Sequence, residues 1–226
     1  RAGTEAIRVP QIASVPNQTM APPKYKLTYF GIRGRAEHLR IMFHYAQVPF
    51  EDNRINAEQW KELKSSTPFG QIPVLEMDGV MYEQSMVLAR YLAKQFGLDG
   101  QDDLQRLKAD IFVAHIEDLR NNLAPYFREQ DPVKKEELMK KFQAEVIPSF
   151  FEKFEKIIAN NGGFTAGKSV LWSDIILASI VEAFSLKKIM PEGAAEKFPH
   201  ILKVKDAIFD TPQVKAYIAK RPHTDI

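Results

Sequence analysis

Hydrophobic periodicity changes character once along this chain, near Gly97-Leu98-Asp99-Gly100, and that change limits the fold more than any other feature. Before it, apolar residues recur in turn with period two and with helical spacing. Tyr25-Lys-Leu-Thr-Tyr-Phe30 alternates and predicts a strand. Gly31-Ile-Arg-Gly34 predicts a turn, and Ala36, Leu39, Phe43 and Ala46 fall on one face of a helix. Glu51 to Ile55 predicts a short second strand. Ile72 to Met77 and Val80 to Tyr82 predict a hairpin around Asp78-Gly79. Gln84 to Phe96 predicts a helix that Gly97 ends. The order strand, helix, strand, then hairpin and helix, is that of a small α/β unit.

Beyond Gly100 only the helical period remains, with breaks near Asp131-Pro132, Asn160 to Gly163, Pro191 to Gly193 and Thr211-Pro212. Ile175 to Val181 is apolar on every side and predicts a helix buried at the centre of this part. Residues 1–23 contain Pro, Gln and Thr without either period. The expected organisation is a flexible extension over 1–23, an α/β unit over 24–100 and an all-helical unit over 101–226. The chain begins with Arg, as if an upstream segment had been removed, and Asn17-Gln18-Thr19 is an N-glycosylation sequon. Both features suggest a secreted glycoprotein; a cytoplasmic protein is the alternative.

Several function classes are disfavoured at once. The net charge is +2 and no block of Lys and Arg is concentrated in one place, so neither nucleic acid nor a membrane surface is an expected partner. No apolar run approaches the roughly eighteen residues that span a bilayer. The five histidines, 38, 44, 115, 200 and 223, show no HExxH or HxH spacing, so no metal site is expected. Cysteine is absent, so any thiol chemistry must use a thiol brought from outside.

A few residues stand out, each with two readings. Ile72-Pro73 is either a simple strand entry or a cis bond that frees the Ile72 backbone to pair with an extended peptide. Ser85, after Gln84, is either an ordinary helix cap or part of a site where backbone N–H groups attract a carboxylate. Arg35 is a solvated side chain, or a cation near a helix start that a bound anion offsets. Asp118 continues an apolar stripe of Leu104, Leu107, Ile111 and Ala114, opposite a second stripe of Phe112, Ile116, Leu119 and Leu123. Either the helix emerges into water there, or its outer side meets a partner subunit. Asp174, at the head of the all-apolar helix, reads as a structural cap.

Taken in order, Tyr25 to Phe30, Arg33-Gly-Arg35-Ala-Glu37, Pro68 to Glu76 with Gln71-Ile72-Pro73, Gln84-Ser85 and the terminal Lys220-Arg-Pro222-His-Thr resemble sigma-class glutathione transferases. That class includes the glutathione-dependent prostaglandin D synthases, and the resemblance runs from about Lys24 to the end. The tail and overall sequence are similar to extracellular sigma-class enzymes of filarial nematodes. The resemblance implies a thioredoxin-like domain followed by an all-α domain, acting as a homodimer on glutathione and a small hydrophobic electrophile, with no tightly bound cofactor. It implies Tyr29 as donor to the glutathione sulfur and Arg35 as added positive charge. Trp60 and Lys64 match positions at the glycine end, and Gln71, Ile72 and Pro73 match the loop that pairs with the cysteinyl unit. Gln84 and Ser85 match the γ-glutamyl carboxylate site. Asp118 matches an acid that reaches the γ-glutamyl ammonium in the neighbouring subunit. Prostaglandin H2 isomerisation is a second implied activity, and a non-catalytic hydrophobic-ligand carrier is the alternative on the same fold.

The magnitudes suit that chemistry. A free thiol has a pKa of about 8.5, and lowering it by roughly two units stabilises the thiolate by about 2.7 kcal/mol. One hydrogen bond to a charged acceptor supplies about 1.5–3 kcal/mol. The chain also departs from the family. Leu171 stands where Ser or Thr is common, so Asp174 is expected to lose its capping-box partner. Ala114 stands where the vertebrate prostaglandin synthases carry a carboxylate of a divalent-ion site, so that metal effect is not expected here; Pro125 stands where they carry tryptophan, so the electrophile pocket is expected to differ in shape.

Overall fold

A computed structural model describes residues 23–224. The extension, including Asn17, lies outside the described residues apart from its last residue, Pro23. Strand β1 (Tyr25–Phe30) is central in a four-stranded sheet of order β2-β1-β3-β4. It pairs in parallel with β2 (Phe50–Ile55), so the two need a crossover, which helix α1 (Glu37–Tyr45) provides. On its other side β1 pairs antiparallel with β3 (Val74–Met77), which turns back into β4 (Val80–Glu83). Asp78 and Gly79 make that turn with φ of 50° and 87°, and two left-handed residues match the twist of a tight hairpin.

Helix α2 (Ala57–Leu63) follows β2 and leaves no periodic signal in the sequence, because it buries none of its residues. Its signal is local: Asn56 accepts from the Gln59 N–H at 2.9 Å, and the Gln59 side chain returns to the Asn56 N–H at 2.9 Å. Helix α3 (Ser85–Phe96) ends on Gly97, whose φ of 70° is the left-handed stop expected of it.

Six helices follow: α4 (Asp103–Arg128), α5 (Pro132–Lys141), α6 (Ile147–Asn161), α7 (Trp172–Leu186), α8 (Pro199–Phe209) and α9 (Pro212–Lys220). A π-helical turn over Phe142–Val146 carries α5 into α6. Helix α7 is the apolar centre. It packs on α1, α3, α4 and α8, and Trp172 to Val181 are all buried. Asp174 caps it from below: Oδ2 accepts from the Leu171 N–H and Oδ1 from the Thr165 N–H, each at 2.8 Å. Leu171 has no acceptor, so half of the capping box is absent as expected, and Thr165 supplies a second donor instead.

Helix α1 packs against α3, α7 and α9 and so belongs to both halves of the chain. That position explains its buried charges. Glu37 accepts from the Tyr217 hydroxyl at 3.1 Å and from Arg221 at 2.6 Å, and Arg221 also reaches Glu182. Burial and the Glu37 carboxylate push the Tyr217 phenol well above its usual range.

Candidate active site

Sheet register gathers the expected residues at one end. Thr28 pairs with Val74 and Val74 with Glu83, so the end of β1, the start of β3 and the end of β4 lie side by side. The end of parallel β2 joins them, with Tyr29 opposite Arg54. Tyr29, the segment Gln71 to Pro73, Gln84-Ser85 and the helix carrying Trp60 therefore border one edge. The Trp60 ring meets Phe30 edge-on at 6.2 Å, and Lys64 lies beyond it, exposed, beside Gly70.

Tyr29 is held in one orientation. It is 8% exposed, and its hydroxyl oxygen accepts the Arg35 backbone N–H at 3.2 Å. That bond uses a lone pair and leaves the phenolic proton free for another acceptor. Gly34 makes the approach possible. Its φ is +46°, and a Cβ there would sit 2.7 Å from the hydroxyl oxygen and 2.8 Å from Cε1. Arg40 fixes the same loop from inside. Its fully buried guanidinium donates to the carbonyls of Ile32 at 2.8 Å and Phe30 at 3.3 Å, and Nε to Asp52 at 2.9 Å. It also lies 6.0 Å from the centre of the Tyr29 ring.

The chain reaches its first helix through a 3₁₀ turn, Gly34–Ala36, so Arg35 stands just before α1 rather than in it. Its side chain is 55% exposed, and Nη1 lies 3.6 Å from the Glu117 carboxylate of α4. Glu117 is shared with Arg120, whose Nη1 approaches at 3.3 Å. Burial depresses the Arg120 pKa, and Glu117 partly restores it.

The Ile72-Pro73 bond is cis, and the sheet ladder begins only at Val74, so Ile72 precedes it rather than opening the strand. Of the two readings of Ser85, the ordinary helix cap does not hold. Gln84 is the cap residue, with a left-handed φ of 74°, Ser85 is the first helical residue, and no side chain caps the end. A non-glycine residue at such a φ costs about 1–3 kcal/mol and is typical of ligand sites. The first turn of α3 thus has backbone N–H groups without a side-chain acceptor. Ser85 itself is buried, and its carbonyl meets His38 Nε2 at 3.4 Å. Burial, reinforced by Arg120, drives the His38 pKa down to about 3, so this ring is neutral at pH 7.

Asp118 stands apart. Its side chain is 63% exposed and lies 3.7 Å from His115 Nδ1. The stripe it continues is exposed too, with Leu104, Leu107 and Ile111 each about half or more accessible, while Phe112, Ile116, Leu119 and Leu123 are buried. The two-sided character read from the sequence is therefore real. Sequence reasoning missed Arg40, Glu117 and Arg120. A fully buried arginine on an apolar helix face has no periodic signature, and an acid that serves a residue 82 positions away has none either.

Residues 25–94 match the family model described as "Glutathione S-transferase, N-terminal domain", and residues 117–221 match "Glutathione S-transferase, C-terminal domain". A "Glutathione S-transferase" of Anopheles gambiae is 40% identical over 90% of this chain and 100% of its own. The "Hematopoietic prostaglandin D synthase" of Gallus gallus is 36% identical, with the same coverage of both chains. Among solved structures, the prostaglandin synthase D of Nilaparvata lugens superposes with a TM-score of 0.83 at 41% identity, covering 89% of this chain and 100% of that one.

Proposed function

The chain belongs to the glutathione S-transferase family, and on that premise we propose that Tyr29 donates its hydroxyl proton in a hydrogen bond to the sulfur of glutathione and holds it as thiolate. The observation that carries this reading is the Arg35 N–H bond to the Tyr29 oxygen, 3.2 Å, which occupies a lone pair of the oxygen and leaves the phenolic proton to be donated. The exposed Arg35 side chain adds positive charge beside the same sulfur. The uncapped first turn of α3 at Gln84-Ser85 receives the γ-glutamyl carboxylate. The Ile72 backbone, outside the ladder, pairs with the cysteinyl unit, Gln71 and Pro73 shape that loop, and Trp60 and Lys64 hold the glycine end. The thiolate then attacks an electrophile, so the protein positions and activates a nucleophile it does not itself contain.

The exposed stripe of α4 is the face of a homodimer, with Asp118 reaching the partner's glutathione across it; the apolar exposure of Leu104, Leu107 and Ile111 supports this. Membership of the sigma class fits the prostaglandin synthase relatives. They also favour a second activity, glutathione-dependent isomerisation of prostaglandin H2 to D2 at the same site. Secretion and glycosylation at Asn17 complete the reading, on the sequon alone.

Steady-state kinetics test the main claim. In Tyr29→Phe, kcat for conjugation falls by roughly 10- to 100-fold, as expected for one charge-assisted hydrogen bond, while KM for glutathione changes little. Wild-type turnover in that variant removes Tyr29 from the mechanism. Incubating the endoperoxide with enzyme and glutathione tests the second activity; D2 formation no faster than without enzyme excludes it.

A further inference from the structure

Behind Gly34 lies a cavity of about 60 Å³ with more positive charge than the chemistry at Tyr29 uses. Its charged lining is Arg33, Glu37, Arg120, Glu182 and Lys187. Both acids are already committed, Glu37 to Arg40, Tyr217 and Arg221, and Glu182 to Arg221. Among the described residues the cations are less well matched. Arg120 shares the Glu117 carboxylate with Arg35. Arg33 donates Nη1 to a neutral acceptor, the Thr224 carbonyl, at 2.9 Å, and its buried Nε meets no acceptor among the described residues. The Lys187 ammonium lies over the Phe127 ring at 5.3 Å. Burial depresses the pKa of both Lys187 and Arg120, and at Arg120 the neighbouring Arg35 adds to it while Glu117 works against it. An anion entering here would restore what burial removes. The volume suits a carboxylate group, Leu186 gives the rim an apolar, half-exposed wall, and 17% of the Arg120 side chain is accessible.

We infer that Arg120 is a specificity-determining residue, and that this cavity receives the carboxylate of a lipophilic electrophile whose reactive carbon lies at the sulfur beside Tyr29. The inference rests on the thiolate-activating reading of Tyr29. It leaves the bond-making step unchanged. With an unsaturated ketone the sulfur bonds to the β-carbon, the C=C π pair moves to join the α-carbon to the carbonyl carbon, the carbonyl π pair passes to oxygen, and the enolate takes a proton from water at the α-carbon. Nothing leaves.

Ethacrynate and its methyl ester share one unsaturated ketone and differ in charge. For each, kcat/KM is measured with the wild type, Arg120→Met and Arg120→Lys, above the uncatalysed rate and with thermal unfolding as a check on folding. The acid-to-ester ratio falls by roughly 10- to 100-fold in Arg120→Met and stays within about threefold in Arg120→Lys. An unchanged ratio in Arg120→Met overturns the inference while leaving the transferase reading intact. A wild type that conjugates neither compound overturns both. On the wild type alone, octanoate competes with the ester and octanamide does not; equal inhibition by the two also overturns it.

Discussion

Replacing Gly34 by alanine tests whether the Tyr29 hydroxyl works through its placement. The new Cβ would stand 2.7 Å from the hydroxyl oxygen, where ordinary contacts begin near 3.4 Å. The ring or the loop must therefore yield by about 0.7 Å. The ring is rigid and the loop is stapled by Arg40, so the displacement falls on the Arg35 N–H bond to Tyr29. A misplacement approaching 1 Å at a reacting group costs up to about 100-fold, so kcat should fall by roughly 10- to 100-fold. The left-handed φ of +46° adds a stability cost of about 1–2 kcal/mol. Glutathione binding should change much less, since its other proposed contacts lie elsewhere. The assay is kcat and KM for conjugation in Gly34→Ala, Tyr29→Phe and the double variant. If Gly34 acts through the hydroxyl, its substitution has little further effect once the hydroxyl is gone. Fully additive losses, or wild-type kcat in Gly34→Ala, would mean that Gly34 does not act through the Tyr29 hydroxyl.

Other consequences follow from the buried charges. Glu37 is 3% exposed and sits between Arg40 and Arg221. Glu37→Gln leaves two buried cations short of an acid, so denaturant unfolding should show a loss of about 3–5 kcal/mol; a loss under about 1 kcal/mol would mean that the cluster relaxes freely. His38, with its pKa lowered from 6.5 to about 3, stays neutral in the fold while the unfolded chain takes up a proton. Stability should therefore fall on acidification from pH 6.5 toward 3, by up to about 1.4 kcal/mol per pH unit from this residue. In His38→Gln that part of the acid slope disappears; an unaltered slope would mean that the ring is protonated in the fold. Leu107→Arg puts a charge on the exposed stripe of α4, the proposed dimer face, and sedimentation should then show weaker self-association than in the wild type. Equal association would remove this stripe from the proposed contact.

Much of the fold is legible in the sequence, because β1, the Asp78-Gly79 hairpin, the Gly97 stop and the apolar α7 are each specified by neighbours in the chain. The places where reading fails are those where distant residues decide. Ser85 follows a polar residue and looks like a cap, but the left-handed Gln84 moves the cap back by one and leaves the helix end without a side-chain acceptor. Helix α2 buries nothing, so its apolar pattern is silent, although its Asn56 and Gln59 box was readable. Tyr29 is visible as a strand residue, whereas the direction of its hydroxyl depends on the φ of Gly34 and the N–H of Arg35. Arg120 lies three residues after Glu117 on α4 and becomes notable only when packing shows what it is buried beside.

Titration of the sulfur of bound glutathione decides whether Tyr29 stabilises the thiolate. Thiolate absorbance is followed in the ultraviolet against pH for the complex with glutathione, in the wild type and in Tyr29→Phe. The account predicts a wild-type midpoint roughly two units below the free thiol value of about 8.5, and a midpoint in Tyr29→Phe shifted most of the way back. The same depressed midpoint in both proteins would contradict it and assign thiolate stabilisation to a group other than Tyr29.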